Sequence, residues 1–278
     1  MIKKVISQKI GLIGLLVGLL VLAAAVLAPI LSPYDPYQID MSKSLRPPSL
    51  AHPLGTDVFG RDVMSRMIYG ARISLEVSAL SRLMSVVLGT LLGLIAGYFG
   101  GRVDNAIMRA ADITLAYPAL LLLIAVIAAV GPSLTSLIVA LGIVGWAAVA
   151  RIVRAQVLTI KEREFVLAVR SLGGSSPRIL FRHLLPNCLS QLIIIFSMGL
   201  GMGIMAESSM SFLGLGAQPP LPSWGSMISA GLDYLRVAPW LSLAPGIGIT
   251  LAVLGFNLLG DAFRDVLDPK LRHLGRRE

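Results

Sequence analysis

The chain has 278 residues, of which 55% are hydrophobic and 14% charged. An average soluble domain carries about 25% charge, so this composition cannot clothe a core of this size in a polar skin and places the chain among membrane proteins. The net charge of +9 suits basic cytoplasmic loops as well as nucleic acid, and no basic patch interleaved with aromatics favours nucleic acid. The lone Cys188 excludes an intrachain disulfide. His52, His183 and His273 are too scattered, beside one cysteine, to form a metal-ligand spacing.

Taken in chain order, six apolar runs approach the roughly 20 residues that a bilayer core requires. They are residues 10–31, 83–101, 113–130, 134–150, 188–206 and 241–260. Lys3, Lys4 and Lys9 ahead of the first run give it the look of a signal peptide. Its apolar stretch is long for such a leader, and Pro29 follows the small residues near Ala28, so an uncleaved helix is expected. An earlier start for the second run would require Arg82 to reach the interface. The 131–132 turn leaves little room between the third and fourth runs. Otherwise the span centres read as free of charge.

Basic residues set the orientation. Segments 1–9, 102–112, 151–187 and 261–278 hold 17 of the 24 lysines and arginines, and segments 32–82 and 207–240 hold the other seven. The first group is expected in the cytoplasm, with both termini. Glycines recur every four residues at Gly14 and Gly18, at Gly89, Gly93 and Gly97, and at Gly199 and Gly203. That spacing lets helices approach closely, and packing within the chain is expected before a dimer seam. Both outer segments read as ordered loops with short helices.

Segment 151–187 is the one large cytoplasmic loop. Residues 151–172 hold no Gly or Pro and read as one helix. Gly173 and Gly174 stop it, Ser176 is the expected N-cap with Pro177 at the first helical position, and Pro186 is expected to end the second helix. Here a resemblance becomes specific. Glu164, Ala168, Arg170 and Gly173, followed by Leu185-Pro186-Asn187, resemble the "EAA" loop of ABC importer permeases, with Val169 where that pattern has a second alanine. Three further segments resemble the "C"-type permeases of the dipeptide/oligopeptide/nickel family. They run from His52 to Arg72 (with Gly55, Asp57, Gly60, Arg61 and Asp62), from Ser211 to Gly225, and from Gly260 to Pro269.

The resemblance implies an all-α polytopic chain of about six transmembrane helices with the type I importer fold. Its expected organisation is an N-terminal helix with an outer segment (1–72), a permease core (73–265) and a cytoplasmic tail (266–278). It implies a cytoplasmic-membrane location and four kinds of partner besides lipid: a homologous second permease, two ATPases and an extracytoplasmic binding protein. Glu164, Ala168, Arg170, Gly173 and Pro186 are then the ATPase-coupling residues. Glu207 is either a functional carboxylate at membrane depth, or a headgroup-level residue or a cap for the loop after it. Asp57, Arg61 and Asp62 either touch a binding protein or solute or tie their own loop together. Arg109 and Asp112 are expected as interfacial anchors.

The sequence shows no phosphate-binding loop, nucleophile elbow or zinc-protease motif. ATP and its Mg are therefore expected in partner subunits, and no cofactor or metal in this chain. The solute stays open between peptides and a nickel or metal chelate. An ion-coupled secondary transporter is the rival from another class, and it would place ionisable residues or broken helices at mid-membrane.

Overall fold

The computed structural model describes residues 9–267. Lys3, Lys4 and the expected tail from Asp268 onward, with His273, lie outside them. Nine helices organise the described chain: α1 (Lys9–Val26), α2 (Val63–Phe99), α3 (Gly101–Ala116), α4 (Ala119–Val130), α5 (Leu134–Ile160), α6 (Glu164–Ser171), α7 (Ser176–Phe212), α8 (Trp224–Gly231) and α9 (Trp240–Leu267). The described residues contain no strand; an isolated bridge joins Thr56 and Asp62.

Helices α2, α5, α7 and α9 are each long and apolar enough to cross a membrane. The expected spans differ from the helices in three places. Residues 10–31 do not form one helix, because the chain leaves helical geometry at Leu27, two residues before Pro29, and resumes for one turn over Ala28–Leu31. The apolar stretch Gly11–Val26 is therefore shorter than a full span. Residues 113–130 are broken too: α3 and α4 meet at 94° across Tyr117 and Pro118. Proline pushes its predecessor out of the α region, and Tyr117 accordingly has ψ 142°. If the bent pair is one span, the described chain has five. Finally, α2 begins at Val63, twenty residues ahead of the expected start, and turns what reads as loop into helix.

The chain forms two compact units. One comprises the described residues up to Leu80, with Val126–Ile138 and the residues from Ser197 onward. In it α1 lies along α9 with no room for a side chain at the crossing. A Cβ at Gly14 would stand 2.6 Å from the Leu259 nitrogen, and one at Gly255 would stand 2.6 Å from Val17. Val21, Ala71, Ile204, Trp224, Ala252 and Phe256 form the core beside this seam. The Trp224 indole donates to the Met67 carbonyl at 3.0 Å, which ties α8 to the start of α2.

The other unit comprises Ser81–Ala125 and Val139–Phe196. Here α2 and α5 are zipped by small residues. Cβ atoms at Gly89, Gly93 and Gly97 would come within 2.5–2.8 Å of Val149, Ala150 or Val157. The four-residue glycine spacing thus serves packing within the chain. Leu94, Val153, Ile160, Val166, Ile179 and Leu184 continue this core toward the basic loop.

Candidate functional site: an exposed helix on the basic loop

α5 runs past Arg151 into the basic loop and stops at Ile160. The expected single helix over 151–172 is in fact two, because Arg163 takes an extended backbone (ψ 146°) and α6 starts afresh at Glu164. Burial explains the break. Val157 and Ile160 face one core, and Val166 faces the same core. On a continuous helix residues six apart point about 120° away from each other, so Ile160 and Val166 could not both be buried there. Lys161 secures the turn, its Nζ donating to the Gly97 carbonyl near the end of α2 at 3.0 Å.

The end of α6 follows the sequence expectation closely. Gly173 has φ +77°, the left-handed conformation that glycine adopts without penalty. The Gly174 N–H bonds the Val169 carbonyl at 2.9 Å, and the Gly173 N–H bonds the Arg170 carbonyl at 3.1 Å. These two bonds make a Schellman cap. A Cβ at Gly173 would meet nothing within 4 Å.

α6 is therefore pinned from below and bare above. Val166 is 2% exposed and Val169 packs against the same core. Glu164, Ala168, Arg170 and Gly173 are all exposed. So are Phe165 at 40%, Leu167 at 42% and Leu172 at 88%. Acidic Glu164 in the first turn and basic Arg170 in the last suit the helix dipole. The segment presents an apolar, charge-bordered ridge that its own chain leaves uncovered.

The second half of the loop departs from expectation. The cap before Pro177 is Ser175, not Ser176, and makes no side-chain bond. Pro186 does not end the helix. The chain widens into a π-helical turn over Ile179–Leu184, in which the Leu185 N–H reaches back to Leu180. A wide turn relieves the clash of a proline ring with the preceding turn. The Asn187 side chain also donates to the His183 carbonyl at 2.7 Å. Pro186 is exposed on this bend, within the continuous helix α7.

Oppositely charged residues link α3 to α5 in a way that sequence reading missed. Arg154 makes two bonds to the Asp104 carboxylate, and Arg151 pairs with Asp112. Asp112, expected as an interfacial anchor, is tied to Arg151. Both helices carry these charges on segments already assigned to one membrane side, and that was the available signal.

In the first unit, the cluster of Asp57, Arg61 and Asp62 ties its loop together. Asp57 accepts from the Phe59 and Arg61 N–H groups at 2.9 Å each and from Arg61 Nε at 2.7 Å. Asp62 caps α2 by accepting the Ser65 N–H at 2.7 Å, and its other oxygen meets His52 Nδ1 at 2.9 Å. The glycines of this motif are required by space and by backbone. Gly60 has φ +71° with the Asp40 carbonyl where a Cβ would be, and Gly55 has φ +73° against Trp240. Glu207 is fully buried on α7. It receives Ser74 Oγ at 2.5 Å, Ser211 Oγ at 2.6 Å and Ser208 Oγ at 3.4 Å. Ser223 caps α8. This carboxyl joins α2 to α7 and, through Ser211, to the loop that follows.

This architecture is the type I ABC importer permease fold. It is shared by a methionine ABC transporter solved in inward-facing conformations, at TM-score 0.59 and 20% identity over 74% of this chain and 97% of that one. Sequence comparison narrows the class. The model of the binding-protein-dependent transport system inner membrane component matches residues 89–273, and that of the N-terminal TM domain of oligopeptide transport permease C matches residues 1–48. A dipeptide transport system permease of Alkalihalophilus pseudofirmus is 42% identical, over 97% of this chain and 89% of its own. A glutathione transport permease of Pectobacterium atrosepticum is 43% identical, over 97% and 90%. An oligopeptide transport permease of Bacillus subtilis is 40% identical, over 96% and 87%. The chain belongs to the family of binding-protein-dependent transport system inner membrane components. It is a multi-pass inner-membrane permease subunit and not an enzyme, and ATP hydrolysis falls to separate ATPase subunits.

Proposed function

We propose that this permease carries dipeptides or oligopeptides inward, and that α6 is the helix through which the ATPases drive it. The observation that carries the coupling role is the bare ridge of α6, with Glu164, Ala168, Arg170 and Gly173 exposed above a buried Val166. Exposed Phe165, Leu167 and Leu172 on a segment that lies outside every apolar run give a partner protein something to bury. Pro186, on the π-helical bend, sets how the second arm of the loop enters the membrane.

The peptide reading is supported by relatives similar over nearly their whole length, which are named for dipeptides, oligopeptides and glutathione. A nickel chelate, the other solute that the resemblance allows, has no counterpart among those three. The assembly we propose pairs this chain with a homologous permease, two ATPases that bind ATP and Mg, and an extracytoplasmic binding protein. Both termini and the loop 151–187 face the cytoplasm, in keeping with the basic bias. The loop held by Asp57, Arg61 and Asp62 faces the binding protein. Closure of the ATPases on ATP pulls α6 and opens the cavity outward; hydrolysis resets it.

Proteoliposomes holding the whole assembly test this reading. With binding protein and labelled dipeptide outside, accumulation should require ATP. Accumulation driven by a proton gradient without ATP would restore the ion-coupled rival.

A further inference from the structure

Arg82 lies on the part of α2 that packs along α5. The register is fixed by contact: a Cβ on Gly93 would abut Ala150 and Val153, one on Gly89 would abut Trp146 and Val149, and Ser85 Oγ donates to the Gly142 carbonyl at 3.0 Å. Arg151 and Arg154, paired with carboxylates of α3, mark the polar boundary at the level of Gly93 to Gly97. Eleven to fifteen residues away along α2, Arg82 sits about 16–22 Å beyond that boundary at 1.5 Å per residue. That is well inside a hydrocarbon core about 30 Å thick. The expectation that the span centres carry no charge therefore fails at this residue, because α2 extends well past residue 83.

Among the described residues the guanidinium has one hydrogen-bond partner. Nε and Nη2 both donate to the Ile195 carbonyl of α7, at 3.2 and 2.8 Å. Among the described residues no carboxylate pairs with it. One carbonyl neither neutralises the charge nor uses the five donors of the fork. The side chain is half-buried, and its two bonds use Nε and Nη2 and not Nη1. A cation at this depth is costly unless it faces a counter-ion or a water-filled path. Lipid phosphates lie at the membrane surfaces, so they cannot supply the counter-ion here. A resident Asp or Glu would hold the cation permanently, whereas a weak carbonyl partner leaves it ready for a transient anion.

We propose that the open side of Arg82 faces the translocation pathway and receives the carboxylate of the passing solute. Paired N–H···O bonds from a planar guanidinium match a carboxylate. Dipeptides, oligopeptides and glutathione share that group while differing in almost everything else. The inference rests on the peptide reading above and goes beyond it by naming a contact residue and the group it holds.

The test uses the complete importer in proteoliposomes, with Arg82→Cys in a Cys188→Ala background. Uptake of a labelled dipeptide should fall at least tenfold. A thiol reagent that adds an ethylammonium group should restore several-fold of the loss, because it returns a cation from the aqueous side; one that adds an ethylsulfonate should not. Arg82→Lys should retain more uptake than Arg82→Gln. Wild-type uptake by Arg82→Cys would overturn the proposal. So would failure of either charged reagent to modify the cysteine, or full modification by the ethylammonium reagent without recovery. Failure of the wild-type importer to take up peptide would instead overturn the peptide reading on which the proposal rests.

Discussion

Ser211 stands between a buried carboxyl and the outer loop: its Oγ donates to Glu207 Oε1 at 2.6 Å and accepts the Ala217 N–H at 3.1 Å. Glu207 also gathers Ser74 from α2, so one side chain fastens two long helices and the chain that leaves them. Glu207→Leu should strand these hydroxyls, at roughly 1–3 kcal/mol for each buried group left unpaired. The purified assembly should melt several degrees lower and yield less folded protein. Glu207→Gln, which keeps an acceptor, should cost much less. Equal melting temperatures for Glu207→Leu and wild type would show that the knot contributes nothing.

The glycine zipper of α2 gives a second prediction. Gly93→Val would force a Cβ to within 2.6 Å of the Ala150 carbonyl and 2.8 Å of the Val153 Cβ. Overpacking of this kind costs about 1–3 kcal/mol or more, and here the obstacle includes backbone. Gly246→Ala on α9 meets nothing within 4 Å and should be neutral or stabilising by about 0.5–1 kcal/mol, since alanine suits a helix interior better. Thermal unfolding in detergent should separate the two variants.

Topology gives a third. Single cysteines at Ser175 and Leu50, in a Cys188→Ala background, occupy exposed positions on the basic loop and on the outer segment. Membrane-impermeant reagent added to intact spheroplasts should label the cysteine at 50 and spare the one at 175 until the membrane is opened. Labelling of both from outside would contradict the proposed orientation.

Much of this was legible in the sequence because it depends on local chemistry. Apolar runs mark helices wherever the backbone must satisfy itself, and Gly173 sits where a helix needs a left-handed residue. The Asp57, Arg61 and Asp62 cluster was readable as a knot because short spacing lets those charges meet. Tertiary demands were hidden. Nothing local predicts that the chain must turn at Arg163 to bury Ile160 and Val166 together. The π-helical turn that carries the chain past Pro186 depends on packing around Ile179 and Leu184. The bend at Tyr117 and Pro118 was available from the proline rule but was overridden by the apolar run around it. Arg82 read as an interfacial residue because the apolar count began after it, and only its level against α5 places it deep.

The central claim is that α6 transmits the ATPase stroke, and Gly173 tests it most directly. The space beyond Gly173 is open, so a tryptophan there projects outward from the ridge without disturbing the core. Its positive φ adds about 1–2 kcal/mol of local strain, which Gly173→Ala shares without the bulk. The measurement is dipeptide uptake together with co-purification of the ATPases from the same cells, at equal membrane levels of the permease. The account predicts that Gly173→Trp abolishes uptake and loses the ATPases, while Gly173→Ala keeps most of both. Wild-type uptake and wild-type ATPase association in Gly173→Trp would contradict it.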